Sequence, residues 1–268
     1  MLTLSKDNYY SPEANREYMS HSQYKDFLSC EAMALAKLNG EYTPPTSDEY
    51  LVGSYVHAWN EETLEQFKAK HPEIISSKGS TKGQLKADFK RADRMIETLA
   101  NDPMCMFALE GQKEIILTAE MFGAIWKIRM DVYNPERHRI VDLKTAKSIR
   151  ELVWSTEQWT KVSFVEAYGY LTQLSIYCEV ERIATGHKGW AEPLIVAISK
   201  EDPPDKAIIS LLDEPRFERE LEVIQDKMPR IIAVKAGEIA PRRCEKCAWC
   251  RSTKKLTTVM HYSELNAG

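Results

Sequence analysis

Between Gln112 and Lys144, apolar and polar residues alternate with the two-residue period of half-buried strands, in three runs: Gln112 to Ala119, Ala124 to Tyr133 and Arg139 to Lys144. The connectors, Glu120-Met121-Phe122-Gly123 and Asn134-Pro135-Glu136-Arg137-His138, have hairpin length and turn chemistry, so the runs predict a three-stranded antiparallel meander. Pro193 to Lys200 and Lys206 to Leu212 predict two more strands. Elsewhere apolar positions recur three and four apart. Ser20-His21-Ser22 caps a predicted helix over residues 23–38, and a second helix is expected from Tyr50 to Phe67, with Gly53, His57 and Glu61 along one face. Residues 84–100 form a third, ended by Asn101-Asp102-Pro103. Val162 to Ile183 forms a fourth, with Glu166, Tyr170, Gln173 and Tyr177 on one stripe, and Pro215 to Lys235 a fifth. Residues 39–47 and 71–83 read as polar connections. Helices flanking a strand-rich centre predict an α/β (α+β) fold, with no internal repeat or low-complexity segment.

A length of 268 residues favours one or two domains. With 43% hydrophobic residues, six tryptophans and twelve tyrosines, composition excludes a disordered chain. No apolar run is long enough to cross a membrane, and the polar start MLTLSKDNYYSPEANREY is not a secretory leader, so a cytoplasmic protein is expected. The net charge of -4 excludes a uniformly basic nucleic-acid binder but not a local basic surface. One exists: Pro241 to Lys255 carries six Lys/Arg against Glu245 alone, which is either a solvated basic tail or a phosphate-contacting segment. It also holds Cys244, Cys247 and Cys250, clustered thiols that suggest a metal more than disulfides.

On the last meander strand Asp142 and Lys144 point the same way. Asp131, near the end of the preceding strand, can approach Asp142 through the five-residue turn. Two adjacent carboxylates are hard to keep ionised unless a cation lies between them, and carboxylate chemistry favours Mg²⁺ or Mn²⁺. His57 could add an imidazole, which tilts the choice toward Mn²⁺, and Lys144 could offset charge on a phosphoryl group. The plainer alternatives are strand-end ion pairing for the acids and lysine and a packed core position for His57.

The ordered set Ser22-Gln23-Tyr24-x-x-Phe27-x-x-Cys30, Gly53-Ser54-Tyr55-Val56-His57, Glu114, Asp131, Asp142-Leu143-Lys144, Gln173-x-x-x-Tyr177 and the C-terminal cysteines resembles the PD-(D/E)xK nuclease superfamily. Within it, the pattern is similar to RecB-type exonucleases, above all the phage and prophage exodeoxyribonuclease VIII (RecE-like) group, across residues 20 to 251. The resemblance implies a restriction-endonuclease-like core: a central mixed sheet led by the antiparallel meander and flanked by helices. It further implies one nuclease domain over residues 1–268, with an N-terminal helical segment at about 20–100 and a cysteine-bearing segment at about 241–255. It assigns His57, Asp131, Asp142 and the Leu143 carbonyl as ligands of Mg²⁺ or Mn²⁺, and Lys144 as the catalytic lysine. Glu114 falls at an acidic position of the first core strand, while Gln173 and Tyr177 fall at positions that contact DNA and support the site. Cys30 with Cys244, Cys247 and Cys250 matches the one-plus-three arrangement that holds a [4Fe-4S] cluster in several relatives. Here both C-terminal gaps are two residues, shorter before the last cysteine than in cluster-bearing members, and four thiolates equally suit Zn²⁺ or stay metal-free. Cys105 and Cys178 are expected to be small buried apolar groups.

The implied activity is a metal-dependent deoxyribonuclease, an exonuclease acting on linear duplex ends in phage-type recombination or repair. The implied partners are DNA, a recombinase or annealing protein and further copies of the chain in a homo-oligomer. The alternatives are a non-catalytic DNA-binding accessory protein that keeps the fold, and a small cysteine-metal module fused to an unrelated domain.

Overall fold

The computed structural model describes residues 2–45, 48–155, 158–259 and 261–263. Helix α1 (Pro12–Glu17) is followed by α2 (His21–Ser29) and α3 (Glu31–Leu38). The single helix expected over residues 23–38 is therefore two. Cys30 stands between them with extended backbone (φ -166°, ψ 109°), and its sulfur accepts the Met33 N–H as the N-cap of α3. Helical periodicity persists through the break because both halves bury apolar faces, so the pattern alone does not reveal it. The loop expected over residues 39–47 is described as far as residue 45; its last two residues lie outside the described residues.

Helix α4 (Asp48–Asn60) carries Gly53 and His57, but ends before Glu61. Glu62 adopts a left-handed φ of 60°, and a separate α5 (Leu64–Lys70) follows. The connection over 71–83 contains two short 3-10 turns, Pro72–Ile74 and Gly79–Thr81. Helix α6 (Ala87–Ala100) stops where Asn101-Asp102-Pro103 was expected to stop it. Asp102 then caps α7 (Pro103–Ala108), accepting the Met104 and Cys105 N–H groups.

The meander forms as expected, with β1 (Gln112–Met121), β2 (Ala124–Asn134) and β3 (Arg139–Ala146). A small hairpin, β4 (Val153–Ser155) with β5 (Thr160–Val162), precedes α8 (Phe164–Ala167) and α9 (Tyr170–Thr185). Left-handed Gly169 (φ 72°) separates those helices, and Glu166 closes a capping box with Ser163 on α8. Glu166 is thus not on the Tyr170–Gln173–Tyr177 stripe. Strands β6 (Glu192–Ser199) and β7 (Lys206–Ser210), helix α10 (Glu214–Lys235) and helix α11 (Ala248–Ser252) complete the described elements.

The sheet order is β1-β2-β3-β6-β7, antiparallel except for the parallel β3–β6 pair. A parallel pair needs a long crossover, and α9 supplies its helix. Period-two alternation divides the sheet between two cores. Ile140, Ile195 and Ala197 pack with Leu174, Phe217 and Ile224 of α9 and α10 on one side. Val141, Leu143, Val196 and Ile198 pack with Val52, Tyr55, Phe89 and Leu99 of α4 and α6 on the other. Helices thus cover both faces, as the restriction-endonuclease-like reading requires. Among the described residues no helix is long and apolar enough to cross a membrane.

Alternation fails at one place. Met130 and Tyr133, three residues apart on β2, face the same core, while Val132 faces the other. The shift falls at Asp131, opposite Glu114, whose φ of 59° takes it out of the β1–β2 ladder between the Lys113–Val132 and Ile115–Met130 pairs. Irregular pairing of this kind re-aims side chains next to functional sites.

Candidate active site

The β2–β3 ladder runs from Asn134–Arg139 to Val132–Val141 and stops there. Continuing its register sets Asp131 opposite Asp142, and β1 sets Glu114 opposite Asp131. Three carboxylates therefore stand in a row across three strands. Where the backbone ladder ends, Asp131 replaces it: Oδ2 accepts the Leu143 N–H at 2.8 Å. Its Oδ1 lies 3.4 Å from His57 Nδ1. Gly53, one turn earlier on α4, faces β3, where a β-carbon would touch Thr145 Oγ1 at 3.4 Å.

Asp142 is 4% exposed. Its Oδ1 accepts from Gln173 Nε2 at 3.0 Å, and its Oδ2 lies 2.5 Å from Lys144 Nζ. The Lys144 ammonium also stands 4.9 Å from the centre of the Tyr170 ring. Tyr177 lines the same cleft, of about 800 Å³, as His57, Glu114, Asp131, Asp142 and Lys144. His57, Glu114, Asp131, Asp142, Lys144, Gln173 and Tyr177 therefore come to one cavity, whereas Leu143 is buried in the core beside it and the four cysteines lie elsewhere.

The charges are strongly interdependent. Burial opposes ionisation of Asp131, but the imidazole of His57, the ammonium of Lys144 and the Leu143 N–H outweigh it and hold the carboxyl down at about 2. Burial also works against a charged His57, and Asp131 outweighs it, raising the imidazole above its ordinary value. Asp142 is pushed up by burial and by Asp131, against the pull of Lys144. Lys144 is raised by Asp142 and Asp131 despite its burial. Glu114 is raised to about 7, by burial first, against the pull of Arg129 and with repulsion from Asp131.

Arg129 Nε lies 2.7 Å from Glu114 Oε2, but off the hydrogen-bonding direction, so both Glu114 oxygens are buried without a donor. Asp142 Oδ2 is likewise without one, despite its ion pair with Lys144. Orphaned carboxylate oxygens beside an imidazole are the hard donor set that suits Mg²⁺ or Mn²⁺. His57, Asp131 and Asp142 do not form a closed ligand shell in this arrangement, because Lys144 holds the position beside Asp142.

Glu114 gives a measurable consequence. Its carboxyl titrates near 4.5 when unfolded and near 7 when folded, so ionisation opposes folding. The resulting cost is absent below about pH 4.5 and grows until about pH 7. Glu114→Gln removes it, so in chelator-treated protein the variant's gain over wild type is expected to grow from near zero at pH 4.5 to about 3 kcal/mol by pH 7. A pH series of chemical denaturation measures the difference; a gap that does not widen with pH contradicts the assignment.

Some cleft residues were not singled out from sequence. Arg129 and Lys127 precede Asp131 at two-residue steps on β2, so strand alternation was the available signal. His21 also lines the cleft, and burial pulls its imidazole down to about 3.

The cysteines form a second centre. The Sγ atoms of Cys30, Cys244, Cys247 and Cys250 all lie within 4.8 Å of one another, with Cys30–Cys250 at 3.5 Å and Cys244–Cys250 at 4.0 Å. One tetrahedral zinc with Zn–S near 2.3 Å sets its sulfurs about 3.8 Å apart, so the spacing suits a single ion. A four-iron cluster, carrying each thiolate on a separate corner, needs the segments to stand wider apart. N–H groups of Lys246 and Cys247 pull the Cys244 thiol down to about 6, while burial pushes Cys247 up to about 12. The basic residues here are partly committed: Arg243 donates to the Cys250 carbonyl at 2.7 Å and Arg251 to the Lys246 carbonyl at 2.7 Å. Cys105 and Cys178 are buried apart from this centre, as expected.

Residues 20–253 match a family model described as a PDDEXK-like domain of unknown function (DUF3799). The chain belongs to this PDDEXK-like family. A solved structure from Eubacterium rectale, of a protein provisionally named an exonuclease, is 39% identical to this PDDEXK-like chain, with each chain covered over 100% of its length and a TM-score of 0.92. A second, described as SSO0001, is 16% identical over 85% of this chain and 91% of its own, with a TM-score of 0.29. No curated protein matches the chain.

Proposed function

We propose that this PDDEXK-like protein is a metal-dependent deoxyribonuclease that hydrolyses phosphodiester bonds of linear duplex DNA from its ends. The observation that carries the reading is the convergence of Asp131, Asp142 and Lys144 with His57 on one cleft, at the end of the β2–β3 ladder. The neighbour provisionally named an exonuclease adds support for attack at ends. The phage-recombination setting, the recombinase or annealing partner and a homo-oligomer belong to the same proposal.

In this mechanism His57, Asp131, Asp142 and the Leu143 backbone would hold the divalent ion, with the Glu114 carboxyl beside them in the cleft. When bound, Mg²⁺ or Mn²⁺ supplies Lewis acidity toward the phosphoryl group. Lys144 stays protonated beside Asp142 and faces the charge that develops on the phosphoryl oxygens. Gln173 fixes the Asp142 carboxylate from α9 through Oδ1, which leaves Oδ2 as the oxygen that Lys144 would share with the cation. Tyr170 screens the ammonium from water on its other side. The Cys30 centre holds α2, which contributes His21, Gln23 and Phe27 to the cleft wall, and α3, which contributes Ala34 and Leu38.

Linear and covalently closed circular duplex incubated with Mg²⁺ or Mn²⁺ test the reading. Linear DNA is expected to be degraded and circular DNA to survive. Cleavage of both at similar rates rejects end dependence, and cleavage of neither in either metal rejects the nuclease.

A further inference from the structure

The turn between β2 and β3 and the far end of α9 meet at a second group of ligand atoms. His138 Nε2 lies 3.3 Å from Glu181 Oε2, and His187 Nδ1 lies 2.9 Å from Glu181 Oε1. The three ligand atoms are all within 4.8 Å of one another. Glu181 is on α9 eight residues beyond Gln173, about 12 Å along the helix, so this group is separate from the nuclease cleft. None of its members is needed for the reaction proposed above.

The surroundings favour a cation. The Glu181 side chain is 0% exposed, whereas His138 and His187 are 32% and 41% exposed, so ions reach it from the imidazole side. Among the described residues no lysine or arginine forms an ion pair with Glu181. A buried carboxylate needs a compensating charge. The His138 and His187 rings stand only 4.1 Å apart at the mouth of this carboxylate. One divalent ion held among the three groups supplies that charge and takes a ligand from each.

The supporting contacts are those of a ligand set. The Tyr133 hydroxyl donates to Glu181 Oε1 at 2.6 Å and so orients the carboxylate. Thr185 donates its hydroxyl to the Glu181 carbonyl at 2.8 Å, which steadies the last turn of α9 beside the group. His138 closes the turn with a left-handed φ of 46°, which aims its ring toward Glu181. Zn–N and Zn–O bonds near 2.0–2.1 Å separate ligand atoms of a tetrahedral ion by about 3.4 Å, close to the contacts seen here.

We infer that His138, Glu181 and His187 form a transition-metal site of the zinc class, which pins the β2–β3 turn to the C-terminal end of α9. Two imidazoles and a carboxylate leave the fourth position to water. The ion ties together the two elements that present Asp142 and Gln173 to the cleft, so its role is structural. Because binding requires neutral imidazoles, affinity falls as the pH drops.

The test is calorimetric titration of Zn²⁺ into the full-length protein as purified, in excess Mg²⁺ so that the nuclease cleft is saturated. Wild type is compared with His187→Ala and Glu181→Gln, neither of which touches the cleft or the cysteines. Wild type is expected to take up one more equivalent of zinc than either variant, and only wild type to gain several degrees in thermal midpoint on adding zinc. Co²⁺ in the same site is expected to give visible d–d absorption without intense thiolate charge transfer, which separates it from the cysteine centre. His187→Ala removes a partly exposed side chain, so it reports even if Glu181→Gln fails to fold. Equal zinc stoichiometry in wild type and His187→Ala overturns the site. A midpoint that responds to pH but not to zinc also overturns it, leaving a hydrogen-bonded triad.

Discussion

Asp142→Asn is expected to lower DNA hydrolysis by about 10³-fold, and Lys144→Met by roughly 10²–10³-fold, with the fold kept. The two losses have different origins. Asparagine preserves the shape at 142 and still accepts from Gln173 Nε2, now at 3.0 Å from Asp142 Oδ1. It removes the charge that attracts the cation, so raising Mn²⁺ restores part of the activity. Methionine at 144 keeps the apolar stem of a side chain only 18% exposed but deletes the ammonium. Losing one preorganised charge that faces the transition state costs roughly 10²–10³ in rate. The unpaired Asp142 carboxylate adds a stability cost of about 3 kcal/mol, which circular dichroism and thermal melting monitor separately. Extra metal does not restore this variant. A Lys144→Met enzyme that keeps near-wild-type turnover would remove lysine from the chemistry, and an Asp142→Asn enzyme indifferent to metal concentration would remove Asp142 from the ligand set.

These residues are legible in the sequence because the meander is a local structure. Turn length fixes how β2 and β3 pair, and alternation then fixes which side chains share a face, so the juxtaposition of Asp131 with Asp142 follows from counting. The features that stayed hidden depend on distant partners or on single backbone angles. Cys30 divides α2 from α3 because its sulfur is turned toward residues more than two hundred positions away, while the apolar spacing on either side remains helical. Glu61 leaves the face of His57 because Glu62 turns left-handed, a conformation that no neighbouring glycine announces. Gly169 does mark the division of α8 from α9, but one glycine inside an otherwise helical pattern is a weak stop signal. The Glu114–Arg129 pair was missed because the φ of Glu114 breaks the alternation that would have revealed it. His138, Glu181 and His187 lie in a turn, in a helix and beyond that helix, and no spacing rule joins them.

Cys30→Ala is expected to strip metal from the cysteine centre and to destabilise the protein by about 5 kcal/mol. Cys30 lies 220 residues from Cys250, so an ion bridging them closes most of the chain into a loop. By the loop-entropy relation used for disulfides, a closure of that length is worth about 5 kcal/mol. That is a large share of a typical stability of roughly 5–15 kcal/mol, so soluble yield falls together with metal content. Cys250→Ala is expected to behave alike, because Cys250 is fully buried against Cys30. Cys178→Ala, equally buried but outside the centre, loses only a small side chain and keeps its metal. Elemental analysis and visible absorption of the purified protein identify what is bound: colourless zinc-containing protein matches the close sulfur spacing, whereas brown protein containing iron and sulfide requires the segments to open around a cluster. Because Cys30 joins α2 to α3, and both helices wall the cleft, DNA hydrolysis by Cys30→Ala should fall along with thermal midpoint instead of independently of it. Metal content and melting temperature unchanged in Cys30→Ala would separate the two ends of the chain and leave any metal to the three C-terminal cysteines alone.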